Sequence, residues 1–211
     1  MWKKDLDISL NRFANSFINR NVHMPNYTWR FTGFYGHPDA SKRKYSWDSL
    51  RQLSTQSQLP WICIGDYNEV LSQNEFQGYG PRNNWQIMNF RQALMDSNLH
   101  DLGYEGFTYT WCHSQTYPNT IRARLDCACA TQDFLDIFLE SKIKHMHSIL
   151  ADHLPIVFSF ENFIKFSKTK NKVKRFKHFM FEAMWIQADN CENIFVNLGK
   201  IHLQKMLVLI C

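Results

Sequence analysis

The run Trp61-Ile62-Cys63-Ile64-Gly65 constrains this chain more than any other feature. A strand with one wet face alternates apolar and polar residues; a strand covered on both faces reads as a continuous apolar run. Pro60 stops the run on one side and the turn-prone Asp66-Tyr67-Asn68 stops it on the other. The expectation is a short strand buried on both faces, with polar residues at its end.

The flanking segments supply the rest of the layers. Residues 29–36 are rich in aromatics and end at Gly36 and Pro38, which reads as a strand entering a loop. From Ser41 to about Ser54, Trp47, Leu50 and Leu53 recur at helical spacing. Asn84 to Met95 is also helical, with Ile87, Phe90 and Leu94 on one face. Residues 107–112 and 121–130 read as strands around a turn at Pro118-Asn119, and Thr131 offers a cap oxygen to a helix reaching about Phe138. Residues 145–149 and 156–160 are strand-like. Strands and helices mix without a regular βαβ repeat, so the fold class expected is α/β (α+β), a layered sandwich rather than a doubly wound parallel sheet.

Seven Trp and 17 Phe in 211 residues suffice for one sizeable core. Domain organisation is expected to be a body over 1–162, a basic linker over 163–178 and a helix-prone segment over 179–211. The net charge is +5, but Lys165, Lys168, Lys170, Lys172, Lys174, Arg175 and Lys177 carry seven positive charges, so the remainder is −2. The basicity is local, and that run is either a solvated linker or a weak grip on nucleic-acid phosphates, through Lys168, Lys170, Lys172, Lys174 and Arg175. Six Cys without a CxxC pair or ladder predict reduced thiols. Cys127-x-Cys129 has poor zinc spacing, and His145-x-His147 reads as an exposed pair on a strand. There is no apolar stretch of signal-peptide length and none of the roughly 20 residues that span a bilayer. An intracellular protein, nuclear or cytoplasmic and off the membrane, is expected; nothing specifies a protein partner.

Three clusters could carry chemistry. Gly65-Asp66-Tyr67-Asn68 places an acid and an amide at a buried strand's end, where the acid can orient a water or hold a cation. The same turn also suits a purely structural Asx-turn. Asp152-His153 offers a hard oxygen ligand beside an imidazole donor. Asp126, in Arg124-Leu125-Asp126, needs a cationic partner because an unpaired buried carboxylate is costly. Glu69 is a tempting ligand, but the strand-end geometry turns it away from the site.

In order along the chain, Tyr35, Gly65-Asp66-Tyr67-Asn68, Thr110-Trp111, Arg124-Leu125-Asp126 and Asp152-His153 resemble the endonuclease/exonuclease/phosphatase superfamily. The stretches 29–38 (WRFTGFYGHP), 60–70 (PWICIGDYNEV), 101–111 (DLGYEGFTYTW) and 179–185 (FMFEAMW) are similar to the endonuclease domain of plant LINE-type non-LTR retroelements. The resemblance implies a DNase I-like, four-layered α/β sandwich of two packed mixed sheets flanked by helices. It also implies hydrolysis of a phosphodiester, DNA or another, with Mg2+ or Mn2+ as cofactor. Asp66 would activate the attacking water and Asn68 would help hold it. His153 would donate to the phosphate, Asp126 would fix the tautomer of His153, Tyr35 would bond a phosphate oxygen, and Asp152 would lie at the metal.

The family pattern also has an early strand bearing an Asn and a second bearing a metal-binding Glu, and nothing before Tyr35 matches them. The resemblance therefore implies an incomplete sandwich, truncated at its N-terminus, with one carboxylate of the metal site missing. Cys127 stands where the pattern has Arg, Cys129 where it has Leu, and Ala151 where it has Ser. Two alternatives stay open: an inactive retroelement relic that binds nucleic acid weakly, and a phosphatase or lipid phosphodiesterase of the same superfamily.

Overall fold

In the computed structural model, which describes residues 7–113, 120–146 and 152–160 and the backbone of 208–210, the apolar run becomes β4 (Trp61–Asp66). It lies inside a six-stranded mixed sheet. An antiparallel meander of β1 (Asp7–Ala14), β2 (Phe17–Met24) and β3 (Tyr27–Tyr35) leads to β4, which runs parallel to β3. Beyond β4 come β9 (Asp126–Ala130) and the short β6 (His100–Asp101), both antiparallel to their neighbour.

Both faces of β4 are covered, as the run requires. Ile62 and Ile64, with Ala128 and Ala130 of β9, point into a core that holds Trp29, Phe134, Phe138, Ile143, Ile156 and Phe158. Trp61 and Cys63, with Cys127 and Cys129, point the other way, toward α1 (Arg43–Thr55) and α2 (Asn84–Asp96). Those helices supply Trp47, Leu50, Leu53, Phe90 and Leu94, and Trp47 stacks on Phe90 with centroids 4.7 Å apart. Each such fully buried side chain contributes about 1.5–3 kcal/mol, so the period-two alternation of β4 and β9 anchors two cores at once. Cys127 and Cys129 are fully buried free thiols, and burial pushes both well above the ordinary thiol range. At these positions a thiol is a small core residue.

A second layer is built from two three-stranded antiparallel sheets. One is β5 (Phe76–Gln77), β8 (Ile121–Ala123) and β7 (Trp111–His113); the other is β10 (Lys142–His145), β11 (Ile156–Ser159) and β12 (Val208–Ile210). A bridge between Trp111 and His153, and the bonds Leu154 N–H to Thr110 O and Cys112 N–H to Asp152 O, stitch the two together. Helix α3 (Gln132–Ile137) packs Phe134 edge-on against Trp29.

Several expected elements differ. The strand expected over 121–130 is two strands in different sheets, because the chain crosses between layers at Arg124 and Leu125. There Thr110 Oγ1 accepts from the amides of Leu125 and Asp126, at 3.0 Å each. Thr131 precedes α3, but its hydroxyl accepts from the Trp61 amide and leaves the helix amides alone. His145 is buried, not exposed: its Nδ1 bonds Phe107 O and its ring stacks on Tyr104. The strand it belongs to spans Lys142–His145, earlier than expected. The hairpin β1–β2 was not read from the sequence. Residues 208–210 are extended rather than helical. His147, the Pro118-Asn119 turn, Ala151 and the basic run lie outside the described residues.

Candidate active site

Three adjacent strands end together. Tyr35 at the end of β3 is in register with Asp66 at the end of β4, and Asp66 is in register with Asp126 at the start of β9. Two glycines allow the approach: a Cβ on Gly65 would sit 1.8 Å from Phe34 O, and one on Gly36 would sit 2.2 Å from Tyr67 O. The Gly36 amide bonds Asp66 O at 2.6 Å. Just past Asp66 the chain turns through Asn68, whose φ of 57° is left-handed, a conformation Asn tolerates better than most residues. Its amide N–H donates to Asp66 Oδ1 at 2.7 Å; its side-chain Nδ2 donates to Asp66 Oδ2 at 2.9 Å and to Gly36 O at 2.8 Å. The Asx-turn and the candidate acid are therefore one structure: Asn68 fixes both oxygens of Asp66.

His153 arrives from the second layer. Its Nδ1 donates to Asp126 Oδ2 at 2.9 Å, leaving Nε2 for another partner. The cationic partner that a buried Asp126 requires is thus His153. Burial pulls this imidazole down, but the hydrogen bond and charge of Asp126, with Asp66 and Asp152 behind it, outweigh burial and raise it to about 9. Asp66 goes the other way from an exposed acid. Burial, then the charge of Asp126, raise it to about 7, against the pull of His153 and the Asn68 amide. Tyr35 is raised by burial and then by Asp66, partly offset by Asn68. At neutral pH the site therefore holds a protonated imidazole beside a carboxyl poised to take or release a proton.

Behind the turn lies a cluster that sequence reasoning missed. Glu69 is fully buried and paired on one oxygen with Arg43 and on the other with Arg82, the latter at 2.8 Å. Arg82 Nη2 also donates to Asn68 O at 3.2 Å, and Arg43 donates to the carbonyls of His37 and Pro38. The ion pairs thereby brace both loops that carry site residues. The available signal was weak: a Glu directly after Asp-x-Asn, with its two Arg partners 26 and 13 residues away. Thr110 was noted only as part of a motif; its hydroxyl sets where β9 begins.

Of the residues singled out, Tyr35, Asp66, Asn68, Asp126 and His153 come together. Asp152 is exposed and adjoins the group through its charge on His153. Lys168, Lys170, Lys172, Lys174 and Arg175 lie outside the described residues. The fit to a divalent cation is incomplete. Asp126 Oδ1 is buried without a hydrogen-bond partner, as a ligand oxygen would be, yet among the described residues no three His, Cys, Asp or Glu side chains converge on one point. A hard cation such as Mg2+ prefers near-octahedral oxygen coordination, so these residues alone do not build its shell.

No protein-family model matches this sequence, and no curated protein matches it. Among solved structures, the endonuclease domain of TRAS1, a telomere-specific non-LTR retrotransposon, superposes with a TM-score of 0.58 at 19% identity, covering 74% of this chain and 69% of that domain. A beta toxin from Staphylococcus aureus gives 0.49 at 14% identity over 67% of this chain and 55% of its own. An endonuclease/exonuclease/phosphatase family protein from Leptotrichia buccalis gives 0.48 at 14% identity over 75% and 62%. No helix among the described residues is long and apolar enough to cross a membrane. The likeness to the TRAS1 domain, at 19% identity, shows that this chain shares the fold of that domain.

Proposed function

We propose that this chain is a phosphodiester hydrolase acting on DNA, of the retroelement endonuclease kind. The observation that carries the reading is the set Asp66, Asn68, Asp126 and His153, bonded into one unit at the ends of β4 and β9. Asp66, held by Asn68 and raised to about 7, takes the proton from an attacking water. His153, protonated up to about 9, presents Nε2–H to a phosphate oxygen as negative charge builds there. Asp126 holds the His153 ring and supports its charge, and the Tyr35 hydroxyl offers a further donor. These steps are assigned to this chain's own groups. Mg2+ or Mn2+, expected from the resemblance, would supply charge stabilisation at the phosphate, with Asp152 and the unpartnered Asp126 Oδ1 as the oxygens that would hold it.

The test is nicking of supercoiled plasmid with Mg2+ and with a chelator. Asp66→Ala and His153→Ala are expected to abolish it. If the wild-type protein nicks no better than His153→Ala, the hydrolase reading fails.

A second reading, binding without cutting, is favoured by the lack of a three-ligand metal group among the described residues. It assigns the grip to Lys168, Lys170, Lys172, Lys174 and Arg175. Changing these five to Gln should then lower DNA affinity and flatten its salt dependence by up to five counterions' worth of slope. An unchanged salt slope would rule that grip out.

A further inference from the structure

Between β8 and β9 the chain leaves one sheet for another, and Arg124 and Leu125 belong to neither strand. Strand pairing is interrupted there, so where Asp126 stands depends on what holds the crossing. The backbone supplies part of the hold: Leu125 O accepts from the Tyr67 amide at 2.8 Å, and the Arg124 amide donates to Glu75 O at 2.9 Å. The Arg124 side chain, 1% exposed, supplies more. Its Nη1 donates to Glu75 Oε1 at 2.7 Å, while Nη1 and Nη2 form a fork on Asp101 at 3.0 and 2.7 Å. The guanidinium also lies over the Tyr104 ring, 4.8 Å from its centroid.

Both carboxylates reach onward. Asp101 sits on β6, in register with Cys129 of β9. Glu75 Oε2 accepts from the Leu71 amide at 2.7 Å, in the segment that follows Asp66 and Asn68. A bonded path therefore runs from that segment through Glu75 and Arg124 to the residue before Asp126's neighbour, and it shares no member with the Glu69 cluster. Buried ion pairs return little net stability against apolar side chains of the same size, because desolvation offsets the attraction. What a forked guanidinium–carboxylate contact does supply is fixed geometry.

We propose that Glu75 and Arg124 are positioning residues, which set Asp126 relative to Asp66 and, through Asp126, aim the ring of His153. The effect on rate rests on the hydrolase reading; the placement of Asp126 does not.

The test uses the full chain, labelled with nitrogen-15, and two readouts. The first is the proton resonance of His153 Nδ1–H at about pH 6, assigned by its loss in His153→Gln and expected far downfield because the bond to Asp126 is charge-assisted. Arg124→Lys keeps the charge without the fork, and Glu75→Gln keeps the shape but cannot accept from both Leu71 and Arg124. Each should move that resonance upfield or lose it to exchange. The second readout is plasmid nicking, where both variants should lower kcat about 10²-fold with KM unchanged, the cost of a small misplacement away from the reacting atoms. Asp101→Asn, at a side chain 24% exposed, should shift both readouts in the same direction and by less. Glu105→Gln breaks only the exposed pair with Lys142 and should leave both as they were.

If Arg124→Lys does not fold, Glu75→Gln and Asp101→Asn carry the test. A pair that merely stabilises the fold would lower the thermal midpoint and leave the resonance and kcat in place, which would overturn the proposal. So would a rise in KM with kcat kept, or full activity in folded Arg124→Lys. A resonance that moves in a protein whose wild type never nicks DNA would sink the hydrolase reading and leave the positioning of Asp126 standing.

Discussion

Asp126 is the residue on which the site turns. It is fully buried and offers one oxygen to His153, and its charge also raises Asp66. Its charge thus adds to burial in raising Asp66 and outweighs burial in raising His153; on the proposed reading the two serve as base and acid at the same pH. The pH profile of kcat/KM follows from this. The proposed hydrolysis needs Asp66 ionised and His153 protonated, so its rate should rise through about pH 7 and fall through about pH 9. Initial nicking rates from pH 5.5 to 10 would show the bell. His153→Gln should remove the alkaline limb and lower the rate by about 10²–10⁴-fold, the usual worth of a positioned acid. A wild-type rate that keeps climbing past pH 9.5 would remove His153 from the role of donor.

At the scale of elements, the turn after β4 is held from behind by charge. Glu69 bridges Arg43, the first residue of α1, and Arg82, from the loop before α2, so one buried carboxylate ties both to the turn at Asn68. Removing one partner of a buried ion pair leaves the rest uncompensated, at about 3–5 kcal/mol. Glu69→Gln is therefore expected to destabilise the protein by about 3 kcal/mol in urea unfolding, with loss of nicking well below the melting temperature. Destabilisation under 1 kcal/mol would show that the cluster is not a brace. Legibility followed the same division. Buried strand β4, helices α1 and α2, and the partner demanded by Asp126 were readable, because period and burial are local signals. The brace was not, since its members lie 13 and 26 residues apart and only folding brings them together. The break between β8 and β9 was hidden for a similar reason: residues 121–130 read as one strand, and what divides them is a hydroxyl from Thr110, some 15 residues upstream. His145 misled because alternation marks two faces of a strand without saying which one is covered; here both His145 and Ile143 face inward.

At the scale of the molecule, the His153–Asp126 pair joins two layers. Asp126 belongs to the six-stranded sheet, and His153 to the segment that enters β11 in the second layer. Proton binding at this joint is therefore coupled to global stability. A group whose folded pKa is raised stabilises the fold below its unfolded value, and that stabilisation is lost as pH rises through the folded value. His153 moves from 6.5 to about 9, so its contribution is complete below about pH 6.5 and is lost between there and pH 9. Asp66 moves from 3.8 to about 7, with the same sign and a lower window, about pH 4 to 7. Stability should thus fall steadily on the alkaline side of neutrality, by an amount on the order of 2 kcal/mol between pH 6.5 and 9 once solvent screening at the half-buried imidazole is allowed for. Thermal midpoints measured across pH 5 to 9.5 would report it. In His153→Gln the amide can still bond Asp126 but carries no titrating proton, so the decline above pH 6.5 should flatten while the lower window persists. If wild type and His153→Gln lose stability in parallel over pH 6.5 to 9, the two layers are not held together by this pair, and their packing rests on the Trp29, Phe134 and Phe138 core alone.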